Sequence, residues 1–268
     1  MSAAYNVMFS TVEMSRCRDH VVHRDGSMGP MMDFSEIERV LVVTAHPDDV
    51  DFGAAGTVAN MTDAGIEVVY CLVTDGQAGG FDHSIPRIEM AAIRREEQTK
   101  AAAEVGVTRL IFLGHMDGEA VADMRLRHDI SAAIRDVRPQ VVITQNPVRN
   151  LDSTYGSHPD HIATGEATMC AVYPDARNPF AFAGQPCAEL DDWAVDEVWV
   201  MLGADAHDFI DITSQLDRKI RALRCHESQH RDPDAMEERV RAWWKSIAAE
   251  RGRPENTSAE VFRVVDTR

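Results

Sequence analysis

The feature that most constrains the fold is a regular alternation of strand and helix patterns between residues 39 and 145. Four short apolar runs are separated by three longer segments with helical periodicity. The strands are predicted at 39–45, 66–74, 108–114 and 140–145, and the helices at 54–65, 89–106 and 123–139. Strands that alternate with helices in this way form a parallel sheet covered by helices on both faces. The sequence therefore predicts an α/β, Rossmann-like doubly wound sheet, mostly parallel, with strand order 3-2-1-4-5.

The chain outside this alternation divides into a leader and a C-terminal part. Residues 1–35 are polar and irregular, which predicts a flexible N-terminal leader. Residues 36–268 are predicted to form a single domain, in which 173–268 make up a smaller part that shapes the substrate site or an oligomer contact. After the fourth strand, the patterns predict in order a helix, a loop-rich insertion, two strands, two amphipathic helices and a closing strand, at 158–174, 178–193, 195–202, 208–213, 214–229, 233–252 and 260–266.

The charge balance limits the classes of partner. Among the 268 residues, 44 are acidic and 27 are basic, which gives a formal net charge of −17 at pH 7. Such a surface repels phosphate backbones, which argues against a nucleic-acid partner and favours a neutral or cationic small molecule. No apolar run reaches the roughly 18 residues that a membrane span needs, so no span is predicted. A homo-oligomer is compatible with this composition.

Cysteine usage and the N-terminal residues bear on the compartment. The five cysteines are scattered, odd in number and without a CxxC pair, which favours a reducing environment over a disulfide framework. The first residues lack a basic segment followed by an apolar core, so they do not resemble a signal peptide. We therefore expect a cytoplasmic protein.

Two segments rich in histidine and aspartate follow predicted strands. The first, HPDD at 46–49, ends strand one, and the second, HPDH at 158–161, follows strand four after a short loop. In a doubly wound sheet of the predicted order, strands one and four are neighbours, and the direction of winding reverses between them. A crevice opens at their carboxyl ends, and such folds bind ligands there. We therefore expect both segments to meet in one cleft.

The side chains of these segments suit metal-assisted hydrolysis. Together they supply three histidines and three aspartates, namely His46, Asp48, Asp49, His158, Asp160 and His161. Two histidines and one carboxylate form a common catalytic zinc site, and iron(II) or manganese also accept this set. A bound metal lowers the pKa of its water to roughly 7, and the remaining carboxylate and histidine can act as general base and acid. This pattern predicts a hydrolase for an amide or an ester.

Each segment also has a simpler interpretation when it is taken alone. Proline and aspartate form turns, so HPDD is compatible with an ordinary turn. Pro159 suits the first position of a helix and acids suit its N-terminus, so HPDH is compatible with a helix start. The glycine-rich stretch 74–80 lacks the residue order of a phosphate-binding loop, which argues against nucleotide binding. The convergence of two such segments at one switch point favours the metal site.

The stretches AHPDDVDFG at 45–53 and SHPDH at 157–161 resemble the paired signatures of the PIG-L/LmbE-like family of zinc-dependent N-acetylglucosaminyl deacetylases. The resemblance covers residues 38–265, and HESQ at 226–229 also resembles a family segment, although no role is assigned to it. It implies a zinc-dependent N-deacetylase that acts on a small-molecule substrate containing N-acetylglucosamine. It also implies one Zn²⁺ per chain, with Fe²⁺ or Mn²⁺ as alternatives.

The resemblance implies roles for individual residues of the two segments. His46, Asp49 and His161 would bind the metal. Asp48 would be the general base that activates water, and His158 would lie near the oxyanion or the leaving amine.

Four further positions take roles from the same resemblance. Asp160 would orient His158, and Tyr155 corresponds to a tyrosine that polarises the acetyl carbonyl in some members. Arg94 in IRREEQ and Asp117 in GHMDGE would contact the sugar.

Two other functions remain open at this point. A mycothiol S-conjugate-type amidase would apply the same chemistry to a bulkier amide. A non-catalytic Rossmann-like protein would bind a sugar or nucleotide without turnover, and a chelator would then change nothing.

Overall fold

The computed structural model describes residues 34–151, 154, 156–203 and 206–268, so the predicted leader lies outside the described residues except for its last two positions. The strands β1–β7 span Arg39–Thr44, Glu67–Thr74, Arg109–His115, Val141–Gln145, Glu197–Met201, Asp208–Asp211 and Ala259–Asp266. The helices α1–α7 span Asp49–Gly53, Ala55–Asp63, Arg87–Glu104, Met124–Val137, Pro159–Cys170, Leu216–Arg224 and Pro233–Glu250. No helix in these ranges combines the length and apolar character that a membrane crossing needs.

These strands form one sheet in the order β3-β2-β1-β4-β5-β7-β6. The first five strands in that order are parallel to one another, β7 is antiparallel to β5, and β6 is antiparallel to β7. The predicted α/β class, the mostly parallel sheet and the order 3-2-1-4-5 are therefore confirmed. The C-terminal strands supply the antiparallel edge.

Alternate residues of the central strands point to opposite faces of the sheet, and each face has its own core. In β1, Val40 and Val42 belong to one core, whereas Leu41 and Val43 belong to the other. Helices α2, α3, α6 and α7 cover the first face, and α4 and α5 cover the second. Because both faces are covered, the central strands have continuous apolar runs instead of an alternating pattern, which made them recognisable in the sequence.

The pairing of β1 with β4 fixes where the two histidine–aspartate segments lie. The parallel register pairs Val43 with Thr144 near the carboxyl ends of the two strands. Beyond the last pair, the side chain of Gln145 accepts a hydrogen bond from the backbone N–H of Ala45 at 2.9 Å. Helix α1 begins inside HPDD and helix α5 begins inside HPDH. Both segments therefore leave the same edge of the sheet at adjacent strands.

Two observed helical regions differ from the predicted ones. The helix expected at 54–65 is confirmed as α2, but a short additional helix, α1, precedes it at Asp49–Gly53, and Ala54 between the two has a φ of −145°. The helix expected at 214–229 ends at Arg224, and Glu227–Gln229 form a separate 3-10 turn. Apolar periodicity did not reveal the end of the helix at Arg224, because the turn that follows is held by hydrogen bonds from Ser228 to Glu97, far away in the sequence.

A buried ion pair ties the C-terminal strand to the helices that follow HPDD. Lys219 of α6 and Glu260 of β7 are fully buried, with Lys219 Nζ 2.6 Å from Glu260 Oε1. Glu260 also accepts the backbone N–H groups of Gly56 and Thr57 at 3.0 and 2.7 Å. Lys219 donates a further hydrogen bond to the carbonyl of Phe52 at 2.6 Å. Burial lowers the pKa of Lys219, and Glu260 opposes this effect. The pair therefore fixes the first turn of α2 against the C-terminal part.

We expect Glu260→Gln to lower the free energy of unfolding by about 3–5 kcal/mol, because the buried Lys219 ammonium loses its counter-ion. The double variant Glu260→Gln/Lys219→Met should recover most of this loss, since no uncompensated charge remains. Urea unfolding followed by circular dichroism measures both values. As a control, Lys100→Met removes an exposed ion pair with Glu96 and should leave the midpoint unchanged. A double variant no more stable than Glu260→Gln alone would contradict this explanation.

Candidate active site

The first half of the site contains a strained backbone position. Asp48 has φ 90° and ψ −26°, in the left-handed region that residues other than glycine rarely adopt. Such a conformation costs on the order of 1–2 kcal/mol. Asp48 is also the N-cap residue of α1, so its backbone sets the direction in which the helix leaves β1. The residues that flank Asp48 close the loop, because the backbone N–H of His46 donates a hydrogen bond to Asp49 Oδ2 at 2.7 Å.

The second half of the site is the N-terminus of α5. His158 caps this helix, because its Nδ1 accepts the backbone N–H of Asp160 at 3.1 Å, and Pro159 follows in the first turn. This hydrogen bond leaves the proton of the neutral imidazole on Nε2. Burial and the neighbouring His46 lower the pKa of His158. The rings of His46, His158 and His161 lie together, with centroids 4.8–5.4 Å apart. The HPDD turn therefore supplies His46 to one histidine cluster, and the start of α5 supplies His158 and His161.

Two ring nitrogens and the two oxygens of one carboxylate form a compact triangle of candidate metal ligands between the two halves of the site. His46 Nδ1 lies 3.2 Å from Asp49 Oδ2 and 3.2 Å from His161 Nε2, and His161 Nε2 lies 3.1 Å from Asp49 Oδ1. Ligand atoms that are about 2.0–2.1 Å from a tetrahedral zinc lie roughly 3.3–3.4 Å from one another. The side chains of His46, Asp49 and His161 are 10, 12 and 20 % exposed, so solvent reaches them. The donor atoms and their spacing therefore fit a divalent metal ion.

The opposite edge of the His46 ring faces two more carboxylates. His46 Nε2 lies 3.1 Å from Asp117 Oδ1 and 3.2 Å from Asp160 Oδ2. The three side chains make a second group that could hold a metal ion. Both carboxylates already accept backbone N–H groups, Asp160 from Gly118 at 2.7 Å and Asp117 from Ala78 at 2.9 Å. This second group is also more deeply buried than the triangle, so a substrate reaches it less readily.

The site is strongly anionic. Burial lowers the pKa of His46, but Asp49, Asp117 and Asp160 outweigh it and raise this pKa to about 12. Burial raises the pKa of Asp49, yet His161 and His46 hold it well below its usual range. The pKa values of Asp117 and Asp160 are also lowered, so these three carboxylates are ionised and lie around His46. A dication would balance this concentration of negative charge.

Asp48 is held from the side of helix α3. Its backbone N–H donates to Gln98 Oε1 at 2.8 Å, and its Oδ2 lies 3.1 Å from Arg94 Nη2. Arg94 also donates to the backbone carbonyls of Gly76 and Pro47. Burial raises the pKa of Asp48, and the charge of Arg94 opposes this effect. A carboxylate with a raised pKa and a fixed position is suited to accept a proton.

Three predicted site residues contact the HPDD and HPDH segments, and their predicted roles stay predictions. Arg94, predicted to contact the sugar, is 4 % exposed, and its guanidinium is directed at the HPDD loop. Asp117, also predicted to contact the sugar, is 7 % exposed and bonds to His46. Asp160 was predicted to orient His158, but its carboxylate holds His46 and its backbone N–H reaches His158. Buried charged groups need close hydrogen-bond or ion-pair partners, and the HPDD loop supplies such partners to all three side chains.

Two contributors were missed in the sequence. Gln98 bonds to Asp48 and donates from Nε2 to Asp51 Oδ2 at 2.9 Å, and both Gln98 and Asp51 are fully buried. The spacing of Arg94, Glu97 and Gln98 was the available signal, since positions i, i+3 and i+4 share one helix face. Tyr155 lies outside the described residues, so its role stays a prediction.

Comparisons with known proteins agree on a single family. Residues 41–172, which include HPDD and HPDH, match the family described as PIG-L: GlcNAc-PI de-N-acetylase. A diacetylchitobiose deacetylase of Thermococcus kodakarensis is 34% identical over 200 residues, covering 73% of this chain and 72% of the relative. A probable N-acetyl-alpha-D-glucosaminyl L-malate deacetylase 2 of Bacillus subtilis is 31% identical over 197 residues, covering 72% and 83%. The solved N,N'-diacetylchitobiose deacetylase of Pyrococcus horikoshii, with its inhibitor MPG, has a TM-score of 0.79 at 28% identity and covers 87% of this chain and 86% of that chain.

The packing of α5 against β4 makes a testable prediction. Gly165 lies one turn after His161, and a Cβ there would press on the carbonyl of Gln145 and lie 2.9 Å from the backbone nitrogen of Pro147. Gly165→Ala should lower the free energy of unfolding by about 1–3 kcal/mol through overpacking, in spite of the roughly 1 kcal/mol by which alanine favours a helix. Thermal unfolding tests this, with Gly156→Ala as control, since its Cβ would meet no described atom within 4 Å. A higher midpoint of thermal unfolding for Gly165→Ala than for the wild type would contradict this prediction, because α5 would then move away from β4 without a loss of stability.

Proposed function

This chain belongs to the PIG-L family of de-N-acetylases, and we propose that it is a metal-dependent hydrolase that removes the acetyl group from an N-acetylglucosamine-type amide. The observation that carries the proposal is the triangle of His46 Nδ1, Asp49 and His161 Nε2, with atoms 3.1–3.2 Å apart, beside the strained Asp48. The names of the two curated relatives share an N-acetylated glucosamine unit, which supports this substrate class.

We assign the metal to this triangle rather than to the group with Asp117 and Asp160. With Nδ1 facing the triangle, His46 Nε2–H donates to those two carboxylates, an arrangement that orients many metal-binding histidines. Two nitrogens and one oxygen favour zinc, one ion per chain, although iron(II) and manganese accept the same donors. A divalent ion in such a site lowers the pKa of a bound water from about 15.7 to roughly 7, which supplies a nucleophile at neutral pH.

Asp48 is the proposed general base. Its Oδ2 is paired with Arg94, which leaves Oδ1 to accept a proton from the attacking water. The acetyl carbon gains the hydroxyl group, its bond to the amide nitrogen breaks, and the nitrogen receives the proton that Asp48 held. The products are acetate and the free amine, so one water is consumed for each amide. In this assignment Arg94 positions the base instead of binding the sugar.

His158 is the proposed donor to the acetyl oxygen. Its Nδ1 is occupied by the backbone N–H of Asp160, so the neutral ring presents Nε2–H. A hydrogen bond from this atom stabilises the negative charge that develops on the carbonyl oxygen during attack. Tyr155 is proposed to assist at the same oxygen, as the family resemblance implies.

The proposal assigns metal binding and proton transfer to different residues, so one variant tests proton transfer and another tests metal binding. Asp48→Asn should keep about one metal ion per chain and lose acetate release by about 10²–10⁴-fold, because asparagine tolerates a left-handed backbone but does not take the proton. His161→Ala should lose both the metal and the activity. Metal content is measured by mass spectrometry, and acetate release is measured with N-acetylglucosamine and N,N'-diacetylchitobiose. His207→Ala removes a half-exposed histidine outside the site and should change neither.

The outcomes distinguish the remaining functions. A wild-type protein that binds no metal after reconstitution would overturn the mechanism and favour a non-catalytic sugar- or nucleotide-binding protein. Bound metal without acetate from any sugar would keep the site and move the substrate to a bulkier amide, which a mycothiol S-conjugate would then test. Full activity in Asp48→Asn would remove Asp48 from the role of base.

A further inference from the structure

The HESQ segment, His226 to Gln229, lies outside the mechanism described above, yet its side chains reach the elements that surround Asp48. Asp48 keeps a left-handed backbone with φ 90°, and the helix it caps makes no side-chain capping hydrogen bond. A strained position of this kind persists only where surrounding contacts hold it. The contact that holds the backbone N–H of Asp48 is Gln98 Oε1, at 2.8 Å.

Gln98 is fixed in turn by a buried carboxylate. Its Nε2 donates to Asp51 Oδ2 at 2.9 Å, and both side chains are fully buried. The amide therefore has one orientation, with Nε2 toward Asp51 and Oε1 toward Asp48, because a carboxylate only accepts hydrogen bonds. Removal of the charge or position of Asp51 would free this amide to turn.

Asp51 is anchored by His226. His226 Nε2 lies 2.8 Å from Asp51 Oδ2, the same oxygen that Gln98 contacts, and the imidazole is fully buried. Nδ1 of His226 has no hydrogen-bond partner within the described ranges, so Asp51 is the polar contact that accounts for this buried ring. A fully buried imidazole that contacts one carboxylate is suited to hold that carboxylate in place.

The last two residues of the segment contact the other elements near Asp48. Ser228 donates from its backbone N–H and its hydroxyl to the two oxygens of Glu97, at 2.7 and 2.8 Å. Gln229 Oε1 accepts the backbone N–H of Gly80 at 3.1 Å. Glu97 and Gln98 are neighbours on α3, so this turn holds both α1 and α3.

We propose that the turn from His226 to Gln229 positions the general base, with His226 acting on Asp48 through Asp51 and Gln98. The proposal rests on the function assigned to Asp48 above. His226 contacts neither the substrate side nor the three proposed metal ligands, so it is a positioning residue. Loss of its hydrogen bond should leave metal binding intact and misplace the base.

The first test measures the backbone without any catalysis. Hydrogen exchange of the chelator-treated protein, read by mass spectrometry on the peptide that contains residues 46–53, should be at least about tenfold faster in His226→Leu than in the wild type. His226→Gln keeps a donor at a similar reach and should restore most of the protection. Ile220→Val truncates a buried side chain on the preceding helix and serves as the matched control for a small loss of packing. Wild-type exchange in His226→Leu would overturn the proposal.

The second test is a double-variant cycle on activity. In the wild-type background, His226→Leu should lower kcat by about 10–100-fold, with KM and metal content within about twofold. In the Asp48→Asn background, the same change should lower kcat by less than about threefold, because no base is left to position. An equal loss in both backgrounds would show a purely structural role and would overturn the proposal.

The two tests keep this proposal and the proposed function separate. If the wild type releases no acetate, the deacetylase assignment fails, while the exchange experiment still decides whether His226 holds the Asp48 backbone. If the wild type is active and exchange in His226→Leu is unchanged, the deacetylase assignment stands and the positioning role is lost. If residual activity of Asp48→Asn is too small for the cycle, the exchange result decides.

Discussion

Backbone pairing between β1 and β4 brings together two halves of a ligand set that are far apart in the sequence. Each parallel strand ends at the same edge of the sheet, and the register of Val43 with Thr144 places the two exits side by side. Just beyond the end of β1, the backbone N–H of Ala45 donates to the side chain of Gln145, the last residue of β4, which extends the contact between the two strands. A shift of this register would separate the two segments, and the proposed metal ligands come from both of them. The reversal of winding between these strands supplies the open space above them.

The concentration of carboxylates at this edge is tolerated because the loops supply hydrogen-bond donors. Asp160 accepts the backbone N–H groups of Gly118 and Ala120, and Asp117 accepts that of Ala78. These donors come from the loops after β2 and β3, which therefore stabilise charge instead of merely connecting elements. The carboxylates remain ionised and fixed, so the site is organised before a substrate arrives. Such preorganised electrostatics is what lowers barriers in hydrolytic sites.

How well the sequence predicted this arrangement depends on whether each interaction joins residues that are near or far apart in the sequence. Strand order was recoverable, because buried parallel strands and their crossover helices carry strong local patterns. The meeting of HPDD with HPDH followed from that order. The contact partners of Arg94 and Asp160 did not follow from the sequence. The residues next to a charged side chain in a predicted helix do not show which distant groups it will contact. The end at Arg224 of the helix predicted at 214–229 was also missed, because it depends on Ser228 reaching Glu97 across the fold.

Helix α3 explains why the C-terminal part matters to a site built from the first half of the chain. Its inner face carries Arg94, Glu97 and Gln98, which bind the Asp48 side chain, the Ser228 turn and the Asp48 backbone respectively. The turn lies well beyond residues 41–172, the stretch that carries the family match. The proposed metal ligands are thus positioned by the sheet, whereas the proposed base is held by α3, which the C-terminal part contacts. Because the two depend on different contacts, changes in the C-terminal part can alter proton transfer while they leave the ligand triangle in place.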